Sequence, residues 1–291
     1  MTNHQWSVWP APAKINLFLR ITGRRADGYH TLQTVFQLLD WGDSIKLKIR
    51  SDGVIARDGC SGYDVPEQQD IVIRAAYALK AYSQSVLGVD ICVDKQIPLG
   101  GGFGGGSSNA ATILVALNLL WQLGLSVHQL AEIGLQLGAD VPVFVHGHNA
   151  WAEGVGELLT PIQLPEAWFL LIDSGVHVPT AKLFQSTQLT RTQKLVKIAS
   201  YVNGSLLDNA FESIVRQLEP RIDRVFECMS KYGTVALTGT GGGCFMCLSS
   251  QEDALKMQAK LPDGYRSWVV RSAPESPLLQ ALTQAQHKSV T

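Results

Sequence analysis

Gly100-Gly101-Gly102-Phe103-Gly104-Gly105-Gly106-Ser107-Ser108-Asn109 places six glycines in seven positions directly before a long apolar stretch with helical character. Residues without side chains let backbone N–H groups crowd around anionic oxygens, and a helix N-terminus adds about half a positive charge. The segment therefore suits phosphate; a merely flexible turn would give up conformational entropy for no gain. No Gly-Lys-Ser/Thr follows, which separates it from the common P-loop. The preceding alternating segment leads into no parallel unit with a ribose-binding acid, which separates it from the dinucleotide fingerprint. A second cluster, Thr238-Gly239-Thr240-Gly241-Gly242-Gly243, precedes another apolar run. Two such clusters, one in each half of the chain, suit a polyphosphate held in a cleft between lobes.

Phosphoryl transfer to an alcohol needs the hydroxyl deprotonated or oriented, and positive charge near the equatorial oxygens. A carboxylate and a lysine are the economical pair. Asp140, followed by Val141-Pro142-Val143, is hemmed in by apolar residues, and Lys14 opens a long apolar-alternating segment after Pro10-Ala11-Pro12-Ala13. From the residues alone, Asp140 also reads as a helix-terminal turn residue and Lys14 as a surface lysine.

The elements that must position these groups follow from periodicity. Segments 15–21 and 44–50 alternate as half-buried antiparallel strands, 71–86 has helical spacing, and 89–97 alternates again. A helix over 107–123 starts after the glycines. Another runs over 126–137, with Ser126 and Gln129 in capping-box positions and Gly138 as its end. Val141 to Val145 reads as a strand. Beyond Pro161 to Pro165 the pattern restarts: strand 168–173, helices near 195–202, 209–218 and 222–232, strand 234–237, helix 251–261 and strand 267–271, with 284–291 as a frayed tail. The domain boundary is drawn at about residue 162, giving units 1–162 and 163–291.

The chain of 291 residues, 46% hydrophobic, suffices for two lobes. Its 24 basic and 25 acidic residues leave no positive field for nucleic acid or a membrane surface. The absence of a leader-like segment or a long apolar span predicts a soluble, cytoplasmic protein. Five scattered cysteines are expected to be reduced, and Cys244 and Cys247, three apart on a strand, point to opposite faces.

Pro12-Ala13-Lys14-Ile15-Asn16-Leu17, the segment Pro98 to Ala111, and Leu237-Thr238-Gly239-Thr240-Gly241-Gly242 together resemble the three motifs of the GHMP kinase superfamily, named for galactokinase, homoserine kinase, mevalonate kinase and phosphomevalonate kinase. Their order and spacing match over nearly the whole chain. The resemblance implies an α+β fold of two lobes: an N-terminal nucleotide-binding lobe, a C-terminal ferredoxin-like lobe, and an active site in the cleft between them. Within the superfamily, Arg24 to Gln33 with its Asp27-Gly28-Tyr29-His30, the segment Gly138 to Phe144, and Gly154-Val155-Gly156-Glu157 resemble members that act on a cytidine diphosphate-linked methylerythritol in the non-mevalonate isoprenoid pathway.

That resemblance implies ATP-dependent phosphorylation of the C2 hydroxyl, with Asp140 as general base and Lys14 orienting it and offsetting charge. Asn16 and Thr180 match positions lining the polyol pocket, and Tyr29, His30 and Phe184 match positions holding cytosine. ATP is expected at Gly100, Gly101, Gly102, Gly104, Gly105, Gly106, Ser107, Ser108 and Asn109, through the backbone N–H groups of Gly101 to Ser108, with an adenine pocket near Asp70, Ile71 and Lys95. Asp70 stands where relatives usually carry Asn, and the third motif reads Gly241-Gly242-Gly243-Cys244 where a small hydroxyl or alanine is more common. Magnesium is implied by ATP chemistry with no protein ligand named, and the chain is expected as monomer or dimer. The rivals are a homoserine- or mevalonate-type kinase, against which Tyr29-His30 argues, and a nucleotide sensor, against which Lys14 with Asp140 argues.

Overall fold

The computed structural model describes residues 5–58, 65–204 and 207–290. The larger sheet has seven strands. β1 (Ser7–Arg24) and β2 (His30–Arg50) form its long central hairpin, antiparallel from Ser7 opposite Leu47 to Arg24 opposite His30. β3 (Ile55–Arg57) and β4 (Gly88–Asp94) extend it beyond β2, β5 (Ala150–Glu153) and β6 (Leu158–Pro161) branch from β2, and the two-residue β8 (Asp208–Asn209) meets β1 in parallel. β1 is covered on both faces where it carries site residues: Ala13, Lys14, Ile15, Asn16 and Phe18 are all buried. Strict alternation is broken there by a register shift between Asn16 and Phe18.

α1 (Ile71–Ser83), α2 (Gly105–Leu120), α3 (Val127–Leu137) and α4 (Val141–His146) pack with this sheet in one core. The segment 141–145 is thus a helix, not the expected strand. An apolar run of five suits either state. Here Pro142 sits in the first turn, where its missing N–H costs nothing, and Gly147 ends the helix in the left-handed region at φ 68°.

The second sheet, β7 (Trp168–Asp173), β9 (Val235–Leu237), β10 (Gly243–Leu248) and β11 (Arg266–Arg271), has the order β11-β7-β10-β9 and is antiparallel throughout. With α8 (Pro220–Met229) before β9 and α9 (Gln251–Gln258) before β11, this is the ferredoxin-like βαββαβ arrangement. α5 (Thr180–Gln185), α6 (Ile198–Gly204) and α7 (Glu212–Leu218) fill the long β7-to-β9 connection. The fold is α+β and two-lobed. The lobes share a core in which Ala13, Ile15, Ile97 and Phe103 from one side meet Phe169, Leu171, Phe245 and Val270 from the other.

The chain then crosses back. Ala273 N–H donates to Leu38 O (2.8 Å) and Ser276 N–H to Gly147 O (2.9 Å), and α10 (Pro277–Val290) seats Leu278, Ala281, Leu282 and Ala285 on the first lobe's core. The expected frayed tail is therefore helical as far as Val290, because the spacing of those apolar residues gives it a packed face. Cys92 on β4 is disulfide-bonded, which corrects the expectation that all five thiols are reduced. Cys244 is buried and Cys247 exposed, on opposite faces of β10. No helix among the described residues is long and apolar enough to cross a membrane.

Candidate active site

The glycine segment leaves β4 and ends as the first turn of α2. Phe103, fully buried in the inter-lobe core, pins it, and its carbonyl accepts from Lys14 N–H at 3.0 Å. On either side Gly102 and Gly104 take φ 77°, a conformation L side chains rarely adopt. A Cβ on Gly104 would also lie 2.8 Å from Phe144 Cζ and 2.9 Å from Lys14 Cγ. α2 has no side-chain cap and no acidic residue in its first turn. Ser108 N–H closes onto Gly104 O at 2.9 Å, so Gly105, Gly106 and Ser107 carry N–H groups without intrahelical acceptors. A Cβ on Gly106 would meet nothing nearer than Ile71 Cγ2 at 3.9 Å. This is an anion cradle opening into a cavity of about 450 Å³ lined by Gly100 to Ser107, Ile71, Lys95, Lys14, Asn16, Asp140 and Thr180.

The second glycine cluster packs against the first. Cβ atoms added to Gly241 and Gly243 would lie 2.4 Å from Gly100 O and 2.1 Å from Gly101 O, and one on Gly102 would lie 2.3 Å from Thr238 O. The two clusters interlock backbone to backbone, and only Gly239 and Thr240 of the second reach the cavity. Thr238 Oγ1 accepts from Asn16 N–H at 3.0 Å and donates to Gly102 O at 3.4 Å, which joins all three sequence motifs.

At the cavity's centre Lys14 Nζ lies 3.1 Å from Asp140 Oδ2. The lysine side chain is 3% exposed and the carboxylate 34%, so the base side of the pair faces the cavity. Asp140 heads α4 but caps none of its N–H groups, which leaves the carboxylate to Lys14. Lys14 also donates to Asn16 Oδ1 (2.6 Å) and lies 5.4 Å from the centre of the Phe36 ring. Asn16 Nδ2 in turn donates to Thr34 Oγ1 at 2.8 Å. Buried among oriented acceptors, the ammonium is fixed in position.

A second cavity of about 840 Å³ adjoins the first, and the two share Leu32, Ala139, Val155, Thr180 and Phe184. His30 stacks on Phe184 with ring centroids 5.0 Å apart and planes 27° from parallel, and Tyr29, 67% exposed, stands at its rim. Burial, followed by the Arg191 and Arg24 charges, holds the His30 imidazolium below its ordinary pKa.

The family model of the GHMP kinase N-terminal domain matches residues 70–148 and that of the C-terminal domain residues 185–267. A 4-diphosphocytidyl-2-C-methyl-D-erythritol kinase of Xanthomonas campestris pv. campestris is 59% identical over 285 residues, 98% of this chain and 97% of its own. The chain belongs to the GHMP kinases. A crystal structure of a 4-(cytidine 5'-diphospho)-2C-methyl-D-erythritol kinase matches this GHMP kinase with a TM-score of 0.77 at 29% identity, over 92% of this chain and 99% of the other. A homoserine kinase from Cytophaga hutchinsonii, at 16% identity and TM-score 0.68 over 92% and 94% of the two chains, shares the fold. The protein is an ATP-dependent kinase.

Among the residues assigned to the nucleotide from sequence, Ser108, Asn109 and Asp70 are buried in this GHMP kinase. The Ser108 and Asn109 side chains are fully buried, and Asn109 Nδ2 donates to Asp43 Oδ2 at 2.8 Å. Asp70 is fully buried too: it accepts from Val72 N–H (3.1 Å) to cap α1 and pairs with Arg57 (3.1 Å). An acid is favoured there by that pair. Asp43, which sequence reading passed over, accepts from Lys95 Nζ, from the N–H groups of Gln96 (2.7 Å) and Ile97 (2.8 Å), and from Asn109. It fixes the exit of β4 against α2. Burial pushes the Lys95 ammonium below its usual pKa, and the Asp43 carboxylate opposes that shift. Arg191, also missed, lines the second cavity; a single charged residue, whether within a strand like Asp43 or in a loop like Arg191, carries no periodic or motif signal. Among the described residues, no three His, Cys, Asp or Glu side chains form a group that could hold a metal.

Proposed function

We propose that this kinase transfers the γ-phosphoryl group of ATP to the C2 hydroxyl of 4-diphosphocytidyl-2-C-methyl-D-erythritol, releasing ADP and the 2-phosphate in the non-mevalonate route to isoprenoid precursors. The observation that carries this reading is the position of the Lys14–Asp140 pair, 3.1 Å apart, in a cavity that has the glycine cradle at one side and opens at the other into the chamber of His30 and Phe184. An acceptor with a hydroxyl at one end and a planar base at the other fits two joined chambers. A small acceptor such as homoserine or mevalonate leaves the second one unused. The two chambers also support a cytidine-linked acceptor in view of the names carried by the relatives.

In this reading Asp140 accepts the hydroxyl proton as the oxygen attacks phosphorus, and Lys14 holds the carboxylate and offsets charge on the moving group. A tertiary alcohol is a poor acid, so a positioned base beside an ammonium lowers the barrier where water would not. Asn16 holds Lys14 through Oδ1, and Thr180, hydrogen-bonded to Thr240 at 2.6 Å, closes the polyol side. The free N–H groups of Gly105, Gly106 and Ser107 hold phosphate oxygens, with Ile71 and Lys95 beside them. Magnesium, implied by ATP chemistry, would come with the nucleotide and supply charge screening for its phosphates; Asp140 is the one carboxylate among the described residues lining the first cavity.

Purified protein given ATP, magnesium and in turn the cytidylyl polyol, homoserine or mevalonate tests the reading by ADP release. Turnover with the cytidylyl polyol alone is expected. Turnover only with homoserine or mevalonate would sink the assignment, and no turnover with any acceptor would point to a nucleotide sensor.

A further inference from the structure

The second chamber holds a residue to which the chemistry above gives no task. Arg191, in the loop after α5, donates from Nε to His30 Nε2 at 3.2 Å. Its other nitrogens donate to main-chain carbonyls around α5: Phe184 O at 3.1 Å, Ser186 O at 2.9 Å and Leu189 O at 3.4 Å. A guanidinium has donors and no acceptor, so His30 Nε2 must be the accepting nitrogen. The imidazole proton is then on Nδ1, and the ring is neutral.

We propose that Arg191 is a positioning residue for the base-recognising end of the site. It fixes His30 as the neutral Nδ1–H tautomer, stacked on Phe184, so that the ring offers one donor and no positive charge to the edge of a cytosine. The inference deepens the cytidylyl reading and rests on it for the identity of the base; the tautomer itself does not.

Two features make the arrangement more than a packing contact. The guanidinium ties the start of β2 to α5, which supply the two stacked rings, so their 5.0 Å spacing is set by a residue that belongs to neither. The charges around His30 also act in one direction. Arg191 faces it from the loop and Arg24 from the end of β1, and both oppose a second proton. Asp27, the acid of the chamber, is paired with Arg25 at 2.8 Å. A cytosine ring presents O2 and N3 as acceptors, whereas uracil carries a proton on N3, so a fixed donor distinguishes the two and an imidazole free to exchange tautomers would not.

The test combines an NMR reading without substrate and a kinetic one with it. Protein labelled with 15N-histidine, with His30 assigned by its loss in His30→Gln, should show an unprotonated, hydrogen-bonded Nε2 and a protonated Nδ1 at neutral pH. In Arg191→Gln, which keeps an amide donor but removes the charge, the His30 pKa should rise toward its ordinary value. The KM for the cytidylyl acceptor should then rise about tenfold, the scale of one hydrogen bond in a binding site, with a smaller change in kcat, and the acid limb of kcat/KM should move up in pH with the His30 titration. Arg191→Lys, retaining the charge, should keep the low His30 pKa and recover part of the KM. An Nε2–H tautomer in the parent protein, or a His30 pKa and acceptor KM in Arg191→Gln equal to the parent's, overturns the proposal. Failure of the cytidylyl reading would appear separately, as absent turnover with that acceptor while the NMR result stands.

Discussion

A carboxylate at the head of a helix ordinarily accepts the first free N–H groups, and Asp140 does not. Its charge is balanced instead by a lysine from a strand 126 positions earlier, buried to 3% exposure and held by Asn16. Asp140→Ala should lower kcat by at least about 100-fold, the low end for a lost general base, and leave ATP affinity in place; a near-parental rate would remove Asp140 from the mechanism. At this scale the sequence was only partly legible. Lys14, Asp140 and the glycines stand out by type and by motif. Asp43 and Arg191 do not, because each acts on partners that folding brings together from distant segments. Asn109 and Asp70 stood in suggestive neighbourhoods, and folding ties their side chains to Asp43 and to Arg57 and Val72 N–H.

The glycine segment shows at the scale of an element that neighbouring glycines are required for different reasons. Gly102 has a positive φ and faces Thr238 O, so Gly102→Ala forces backbone apart and should destabilise the fold by roughly 2–3 kcal/mol, measured by denaturant unfolding. Gly106 has neither constraint: it is helical, and its Cβ would enter open space. Gly106→Ala should raise stability by about 0.5–1 kcal/mol through helix propensity, while the new methyl group, standing where phosphate is held, raises the KM for ATP. A stabilised variant with unaltered ATP KM would place the phosphates elsewhere. Periodicity placed β4, β7, β9, β11, α1 to α3 and α6 to α9 to within a few residues. It caught only part of β1 and β2, passed over the short β3, β5, β6, β8 and α5, and failed at α4 because Val141 to Val145 is short and apolar throughout. It also gave no sign that the second glycine cluster buttresses the first.

In the molecule as a whole, the two lobes are held by their shared core around Phe103 and Phe245 and by the return of the chain after β11. Leu278, fully buried against the first lobe, tests the return: Leu278→Ala should cost about 2–5 kcal/mol and lower the thermal midpoint of the whole protein in one transition. Two separate transitions would show that the lobes melt independently. The βαββαβ order of the second lobe was readable from its succession of strands and helices. The return of α10 was not, since a short amphipathic segment at the end of a chain does not reveal which core it joins.

That return has a consequence for synthesis. A ribosome emits the larger sheet and helices α1 to α4 long before Ala273, Ser276 and Leu278 exist, so the first lobe must wait, with one face of its core open to solvent, until the second has been made. The kinase cannot be assembled in strict order from its first residue, and a nascent chain stalled near residue 200 is the species in which a chaperone would find the most exposed apolar surface.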